Sequence, residues 1–309
     1  METPLVTIIV TLYNREQTVG RTIKSILAQT YTTLDILVVD DGSTDRSVAV
    51  VKEFTDPRIR LVRHEHNRGS EAAKNTGLDN IRGEWFTFVD SDDEIVPEAI
   101  DSMLKIPLAQ DPLVTKVECN ALDVDTGSLS GKGLSGDQYL DPVTAECSTS
   151  GDFWGIIRSD LLQGDRFNVS LKGLQSVLWV KVRKRSREYY LHRPLLLVHK
   201  GGADRLSVAR QDVKTVADFF HHAIGEEEWL EVYRKCHAAD YQGFCFRGIL
   251  FCLAANDRLV AAEYRKRFRE VSRGGKRGVA VNVLFATAPF GSRVAIAAAR
   301  KARQLKQQP

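Results

Sequence analysis

No stretch of this chain reaches the roughly 18 consecutive apolar residues that a membrane-spanning helix requires. The first apolar run begins at Leu5-Val6, which leaves no room for a secretory signal, so a cytoplasmic protein is expected. The five cysteines (119, 147, 236, 245 and 252) form no CxxC pair and no metal-ligand spacing, which excludes the common zinc and dithiol motifs. Two nucleotide-binding signatures are missing as well. A dinucleotide-binding turn would place G-x-G-x-x-G after the first strand, where the chain instead reads Thr11-Leu12-Tyr13-Asn14-Arg15. The glycines at 274, 275 and 278 do not form the GxxxxGK[ST] of a P-loop. Internal repeats and low-complexity tracts are also lacking. What remains is ordinary for a globular protein: 27% charged and 43% apolar residues in a chain of 309.

Net charge is small but unevenly placed. The net charge is +3, yet from Arg265 onward twelve Lys/Arg face Glu270 alone, so that tail carries +11 and the rest −8. Between its basic flanks lies an apolar dozen from Val279 to Phe290. A basic tail with an apolar insert suits an anionic membrane surface, so peripheral attachment to the inner face through residues 265–309 is expected. Nucleic acid is not an expected partner, because aromatic residues are not interleaved with these charges.

What is present is concentrated between Asp40 and Asp92. Leu37-Val38-Val39 gives way to Asp40-Asp41-Gly42-Ser43-Thr44-Asp45, and Trp85-Phe86-Thr87-Phe88-Val89 to Asp90-Ser91-Asp92-Asp93. Short apolar runs bounded by turn residues read as strands buried on both faces of a parallel sheet. Ligands of open α/β sheets bind beyond the carboxyl ends of the strands, so both acidic runs are expected to line one crevice. Oxygen-only ligands favour hard cations such as Mg²⁺ or Mn²⁺. The spacing of Val19, Ile23, Ile26 and Leu27 predicts a first helix, with further helices over 47–54 and 70–80, and a strand over 59–62. Residues 187–199 read as a strand pair, and the pattern turns helical after Asp212.

The motifs together resemble a family 2 glycosyltransferase of GT-A fold over much of the first hundred residues. The resemblance rests on Val6-Thr7-Ile8-Ile9-Val10-Thr11-Leu12-Tyr13-Asn14, on Ser25 to Tyr31 and on the Asp40–Asp45 run. It continues through Asn67-Arg68-Gly69 and Ala73-Lys74-Asn75-Thr76-Gly77 to Gly83-Glu84-Trp85 and the Asp90-Ser91-Asp92 triplet. It implies a mixed, mostly parallel sheet with flanking helices over 1–210, with a nucleotide-binding half at 1–104 and an acceptor half at 105–210. A helical extension over 211–309 follows. By resemblance, Thr11, Tyr13, Asp41, Lys74, Asp90 and Ser91 bind the nucleotide. Asp41 takes the imide N–H of a uracil or thymine base, and Asp92 holds Mn²⁺ or Mg²⁺. His199 is a candidate to complete the metal shell, at the head of a Gly-rich segment (199–207) resembling a lid over the diphosphate. The donor is a nucleoside-diphosphate sugar, UDP or TDP by preference, and the acceptor a glycan or lipid-linked hydroxyl.

One element departs from the pattern. Relatives carry Glu-Asp ahead of a Trp, with that Asp as base, but the segment from Phe167 to Trp179 puts Gln175 and Ser176 there. An amide or an unactivated hydroxyl does not accept a proton near neutral pH. Three explanations stay open. Another carboxylate substitutes, with Asp152 the leading candidate beside Asp160 and Asp165. Alternatively, the acceptor needs no strong base, or the chain is a catalytically impaired nucleotide-sugar-binding or scaffold protein. Nucleotidyl transfer is a third class sharing such strand-end carboxylates.

Overall fold

A computed structural model of the chain describes residues 3–199, 212–272 and 276–297. The chain divides into two compact units, Met1–Asp204 and Arg205–Pro309.

The first unit opens with alternating strands and helices. They are β1 (Val6–Leu12), α1 (Val19–Leu27), β2 (Leu34–Asp40), α2 (Ser47–Lys52), β3 (Ile59–Arg63), α3 (Ser70–Asp79) and β4 (Trp85–Asp90). There follow β5 (Glu94–Ile95), α4 (Ala99–Lys105), β6 (Lys116–Asp123), β7 (Gln138–Leu140), α5 (Pro142–Ser148), β8 (Phe153–Arg158), α6 (Ser176–Arg185) and β9 (Glu188–Val198). All nine strands join one sheet in the order β3-β2-β1-β4-β8-β6-β9-β5, with β7 paired to β9. Strands β1 to β4 are mutually parallel, and β8 runs antiparallel to both β4 and β6.

Alternate residues of β1 and β2 enter two separate cores. Ile8, Val10, Ile36 and Val38 pack with α1 and α4, whereas Ile9, Leu37 and Val39 pack with Ala73, Leu78, Leu178 and Val182 of α3 and α6. Burial on both faces is why these strands read as continuous apolar runs. Helix α3 lies close over β1 because a Cβ at Gly77 would come within 2.5 Å of Ile9 Cγ2. The predicted strand pair at 187–199 is instead one eleven-residue strand, β9. Its Arg193-Pro194 dipeptide mimics a turn in sequence. In the fold, Pro194 falls at the register shift against Asn120, where the ladder is already irregular.

The second unit is helical: α7 (Val213–Ala223), α8 (Glu227–Cys236), α9 (Ala238–Ala254), α10 (Arg258–Val271) and α11 (Lys276–Thr287). Phe220, Phe244, Tyr241 and Tyr264 are buried in it, and Phe244 meets Phe220, Trp229 and Tyr264 at ring distances of 5.0–5.9 Å. These aromatics form the core of the helical unit. Cys119, Cys245 and Cys252 are buried free thiols. Among the described residues, no helix is long and apolar enough to cross a membrane.

Candidate active site

The strand order places a switch point between β1 and β4. The chain builds outward from β1 to β3, then returns to the other side of β1 with β4, opening a crevice at the carboxyl ends of the two strands. Thr11 stands in register with Asp90 across that gap, and Leu12 with Asp40 on the other side.

Most of the first acidic run is used in building the loop. Asp40 is fully buried and takes Arg63 Nε (3.0 Å) and the Ser43 N–H (3.2 Å). Asp41, 3% exposed, meets His64 Nδ1 at 2.7 Å and accepts the N–H groups of Arg68 (2.9 Å) and Gly69 (2.8 Å). It thereby joins the end of β2 to the start of α3. Asp45 accepts from Ser47 N–H at the head of α2 and from Glu16 N–H, at 2.9 and 3.1 Å. Asn14, at φ +50°, donates its N–H to Ser43 Oγ (3.0 Å) and accepts from the Thr44 N–H (2.9 Å). Tyr13 beside it is 41% exposed at the crevice.

The second acidic run is a turn clamped by α1. Thr18 donates to the Ser91 carbonyl (2.8 Å), Arg21 to that of Asp92 (2.7 Å) and Thr22 to that of Asp93 (2.7 Å). With its backbone fixed, the turn presents carboxylates of graded exposure. Asp90 is exposed, and the Asp92 carboxylate is 37% exposed with Arg15 Nε at 3.6 Å. Ser91 and Asp93 are buried. Burial, reinforced by the neighbouring charges of Asp90 and Asp92, pushes the Asp93 carboxyl up to about 7. His199 reaches this turn, with its N–H on Asp93 Oδ1 (3.2 Å) and its Nε2 at 2.8 Å from Glu94 Oε1. Among the described residues, no group of three or more His, Cys, Asp or Glu side chains stands ready to hold a metal. An exposed, oxygen-only pair crowded by like charge does fit a hard cation that takes one or two carboxylates and completes its shell from phosphates and water. The remainder of the expected lid, 200–207, lies outside the described residues.

The other wall is made by α3 and the segment leading into α6. Lys74 Nζ donates to Gln175 Oε1 (2.8 Å) and lies 5.6 Å over the Phe88 ring. Asn75 pairs with Phe167 through both its side-chain amide groups, at 2.9 and 2.8 Å. Phe88, Phe167 and Trp179 form an edge-to-face cluster behind them, with ring centroids 5.3–6.2 Å apart. Glu71, which sequence reasoning passed over, accepts the Gly173 N–H at 2.8 Å. The signal was available: Glu71 and Lys74 are three apart on one helix and so share a face.

The three substitute bases separate by topology. Strand β8 runs antiparallel to β4, with Arg158 opposite Trp85, so its start lies at the carboxyl end of β4. Asp152, exposed and just ahead of β8, is therefore at the crevice end, where Trp154 Nε1 donates to the Phe88 carbonyl (2.7 Å). Asp160 follows the far end of β8, paired with Arg158 at 2.8 Å, and Asp165 pairs with Arg185 at 2.7 Å at the last turn of α6. Neither belongs to the crevice.

A family model described as Glycosyl transferase family 2 matches residues 7–117, which spans β1 to the start of β6. Over these residues the chain is similar to the glycosyl transferase family 2 pattern. The chain is 32% identical over 198 residues to a GalNAc(5)-diNAcBac-PP-undecaprenol β-1,3-glucosyltransferase of Campylobacter jejuni, covering 62% of this chain and 63% of that protein. It thus spans under two thirds of that relative's length. Residues 1–349 of S. aureus TarS, solved with UDP-GlcNAc, superpose with a TM-score of 0.63 at 15% identity, over 86% of this chain and 90% of that one. The mannosyltransferase PcManGT of Pyrobaculum calidifontis, solved with GDP-Man and Mn²⁺, gives 0.53 at 18% identity over 96% and 81%. The fold of the nine-stranded unit is that of these GT-A neighbours.

Proposed function

We propose that the chain is a glycosyltransferase that moves a sugar from a nucleoside diphosphate to an acceptor hydroxyl. The observation that carries this reading is the register of Thr11 with Asp90 at the switch point, directly ahead of the clamped Asp90–Asp92 turn. Thr11, Tyr13, Asp41, Lys74, Asp90 and Ser91 bind the nucleotide in this reading, and Asp92 with His199 faces the diphosphate. A bound Mn²⁺ or Mg²⁺ at Asp92 would neutralise the leaving diphosphate as a Lewis acid. The donor is a UDP- or TDP-sugar, an assignment supported by the UDP-GlcNAc in the TarS crystal. The acceptor is a lipid-linked glycan, supported by the undecaprenol-linked substrate named for the Campylobacter relative. Residues 1–210 hold the transferase domain, and the helical region after them carries the basic tail.

A second reading has one observation in its favour. Gln175 is an amide held by Lys74, not an acid, which suits a nucleotide-sugar-binding protein without turnover. Nucleoside diphosphate release from UDP-, TDP- and GDP-sugars, with Mn²⁺ and with EDTA, separates the two. Transfer predicts metal-dependent release that Asp92→Asn lowers roughly 10²–10³-fold, on the scale of losing one preorganised charge-stabilising group. Tight donor binding by calorimetry, with no release in the presence of polyprenyl-diphosphate-linked sugars, establishes the binding protein instead.

A further inference from the structure

Transfer to a hydroxyl leaves a proton to be taken up, so the glycosyltransferase reading, on which this inference rests, calls for a carboxylate able to receive it. The carboxylates at the crevice end of the sheet differ in what already occupies them. Asp40 is held by Arg63, Asp41 by three donors and Asp92 by Arg15. Asp93 accepts from His199, and Glu94 is shared between His199 and Arg21. Asp90 and Asp152 are open to water, which competes for their oxygens.

Glu71 differs from all of these. It is 5% exposed, its Oε1 takes the Gly173 N–H at 2.8 Å, and its Oε2 takes no hydrogen bond from a described residue. It forms no ion pair among the described residues, so its charge is not already neutralised. It sits in the first turn of α3, two residues after Gly69, whose N–H binds Asp41 at the end of β2. That places it at the carboxyl end of the sheet. One turn along the same helix, Lys74 fixes Gln175, and Gly173 between them is exposed. The carboxylate therefore lies just under a surface loop, with one oxygen oriented and the other available.

We infer that Glu71 is the general base of this site. The acceptor oxygen forms its bond to the anomeric carbon as the bond from that carbon to the diphosphate oxygen breaks. The electron pair leaves with the nucleoside diphosphate, and the hydroxyl proton passes to Glu71 Oε2. The Gly173 N–H holds the other oxygen, so the free one keeps a fixed direction. Gly173 itself has φ +78°, a conformation L side chains seldom adopt, so the glycine sets the direction of that N–H.

The test compares full-length wild type with Glu71→Gln, Glu71→Asp and Asp152→Asn. A UDP-sugar serves as donor, and water or a polyprenyl-diphosphate-linked sugar as acceptor. A base at Glu71 predicts that Glu71→Gln lowers kcat roughly 10²–10⁴-fold, removes the acid limb of the pH–rate profile and leaves donor affinity and melting temperature near wild type. A greater loss of kcat in Asp152→Asn than in Glu71→Gln overturns the assignment. A Glu71→Gln kcat within tenfold of wild type overturns the assignment, as does a loss that tracks melting or donor affinity. If Glu71→Gln does not fold, Glu71→Asp decides: a base predicts at least a tenfold lower kcat at unchanged donor affinity, and wild-type kcat overturns it. An inactive wild type removes the glycosyltransferase reading and this assignment with it. An active wild type insensitive to Glu71 removes the assignment alone.

Discussion

Lys116 and Glu188 show what a single buried charge does to this fold. Lys116 Nζ lies 2.8 Å from Glu188 Oε1 and also contacts Glu118, while Arg183 reaches Glu118 (3.1 Å), Glu188 (3.3 Å) and Glu146 (3.3 Å). Three carboxylates thus share two cations on β6, β9, α5 and α6. Burial and repulsion from Glu118 raise the Glu188 carboxyl to about 7, against the pull of Lys116 and Arg183. Burial works against the Glu118 carboxylate too, but Lys116 and Arg183 outweigh it and hold it below the ordinary range. A raised carboxyl favours its protonated form in the folded state. The stability it contributes is complete below the unfolded value of about 4.3 and is lost as pH rises through about 7. The urea midpoint of the full-length protein should therefore fall between about pH 5 and 7, and Glu188→Gln should flatten that slope. An unchanged slope in the variant removes Glu188 as its source. Lys116→Met leaves two buried carboxylates sharing Arg183 and should cost about 3–5 kcal/mol, read from the same denaturation curves.

Between elements, close approach matters more than charge. The Cβ that Gly77→Ala adds would meet Ile9 Cγ2 at 2.5 Å, on a face where Ile9 is fully buried. Ile9 has little room to move in a packed core, so the substitution should destabilise by about 1–3 kcal/mol, as overpacking does. Equal urea midpoints for variant and wild type would show that α3 can lift off β1 without cost. This contact also explains how much was legible beforehand. The first four strands and three helices read correctly because burial on both faces writes an apolar run and helices write a 3.6-residue spacing, both local signals. The Asp90–Asp92 turn was legible for the same reason, since its strand announces it. By contrast, residues 187–199 read as a strand pair in sequence, and only the partner β6 shows that a register shift carries Pro194 within one strand. The Asp41–His64 pair, the Glu71–Gly173 bond and the Lys116–Glu188 pair join residues 23 to 102 positions apart. No local pattern encodes such pairings.

At the scale of the whole molecule, the excess of positive charge after Arg265 is the largest electrostatic feature of the chain. Within it, α11 buries Val281 and Leu284 but leaves Val279 and Val283, one turn apart, 66% and 54% exposed. Beyond α11, Phe290 and Val294 repeat that i, i+4 exposure. Apolar side chains exposed at helical spacing among Lys and Arg suit a surface that supplies both hydrocarbon and negative charge. Each basic residue brought near an anionic leaflet would contribute about 1 kcal/mol, and the tail holds twelve. The Coulomb part should vanish as salt rises from about 0.1 M to 1 M, which shortens the Debye length from about 10 to 3 Å. The full-length protein is accordingly expected to float with phosphatidylglycerol-containing vesicles at low salt, and not with phosphatidylcholine vesicles. Val279→Asp with Val283→Asp should weaken flotation without lowering the melting temperature, because both side chains already face water. Binding indifferent to lipid charge and salt would mean the tail is not the attachment device. Flotation unaffected by the paired aspartates would assign attachment to charge alone.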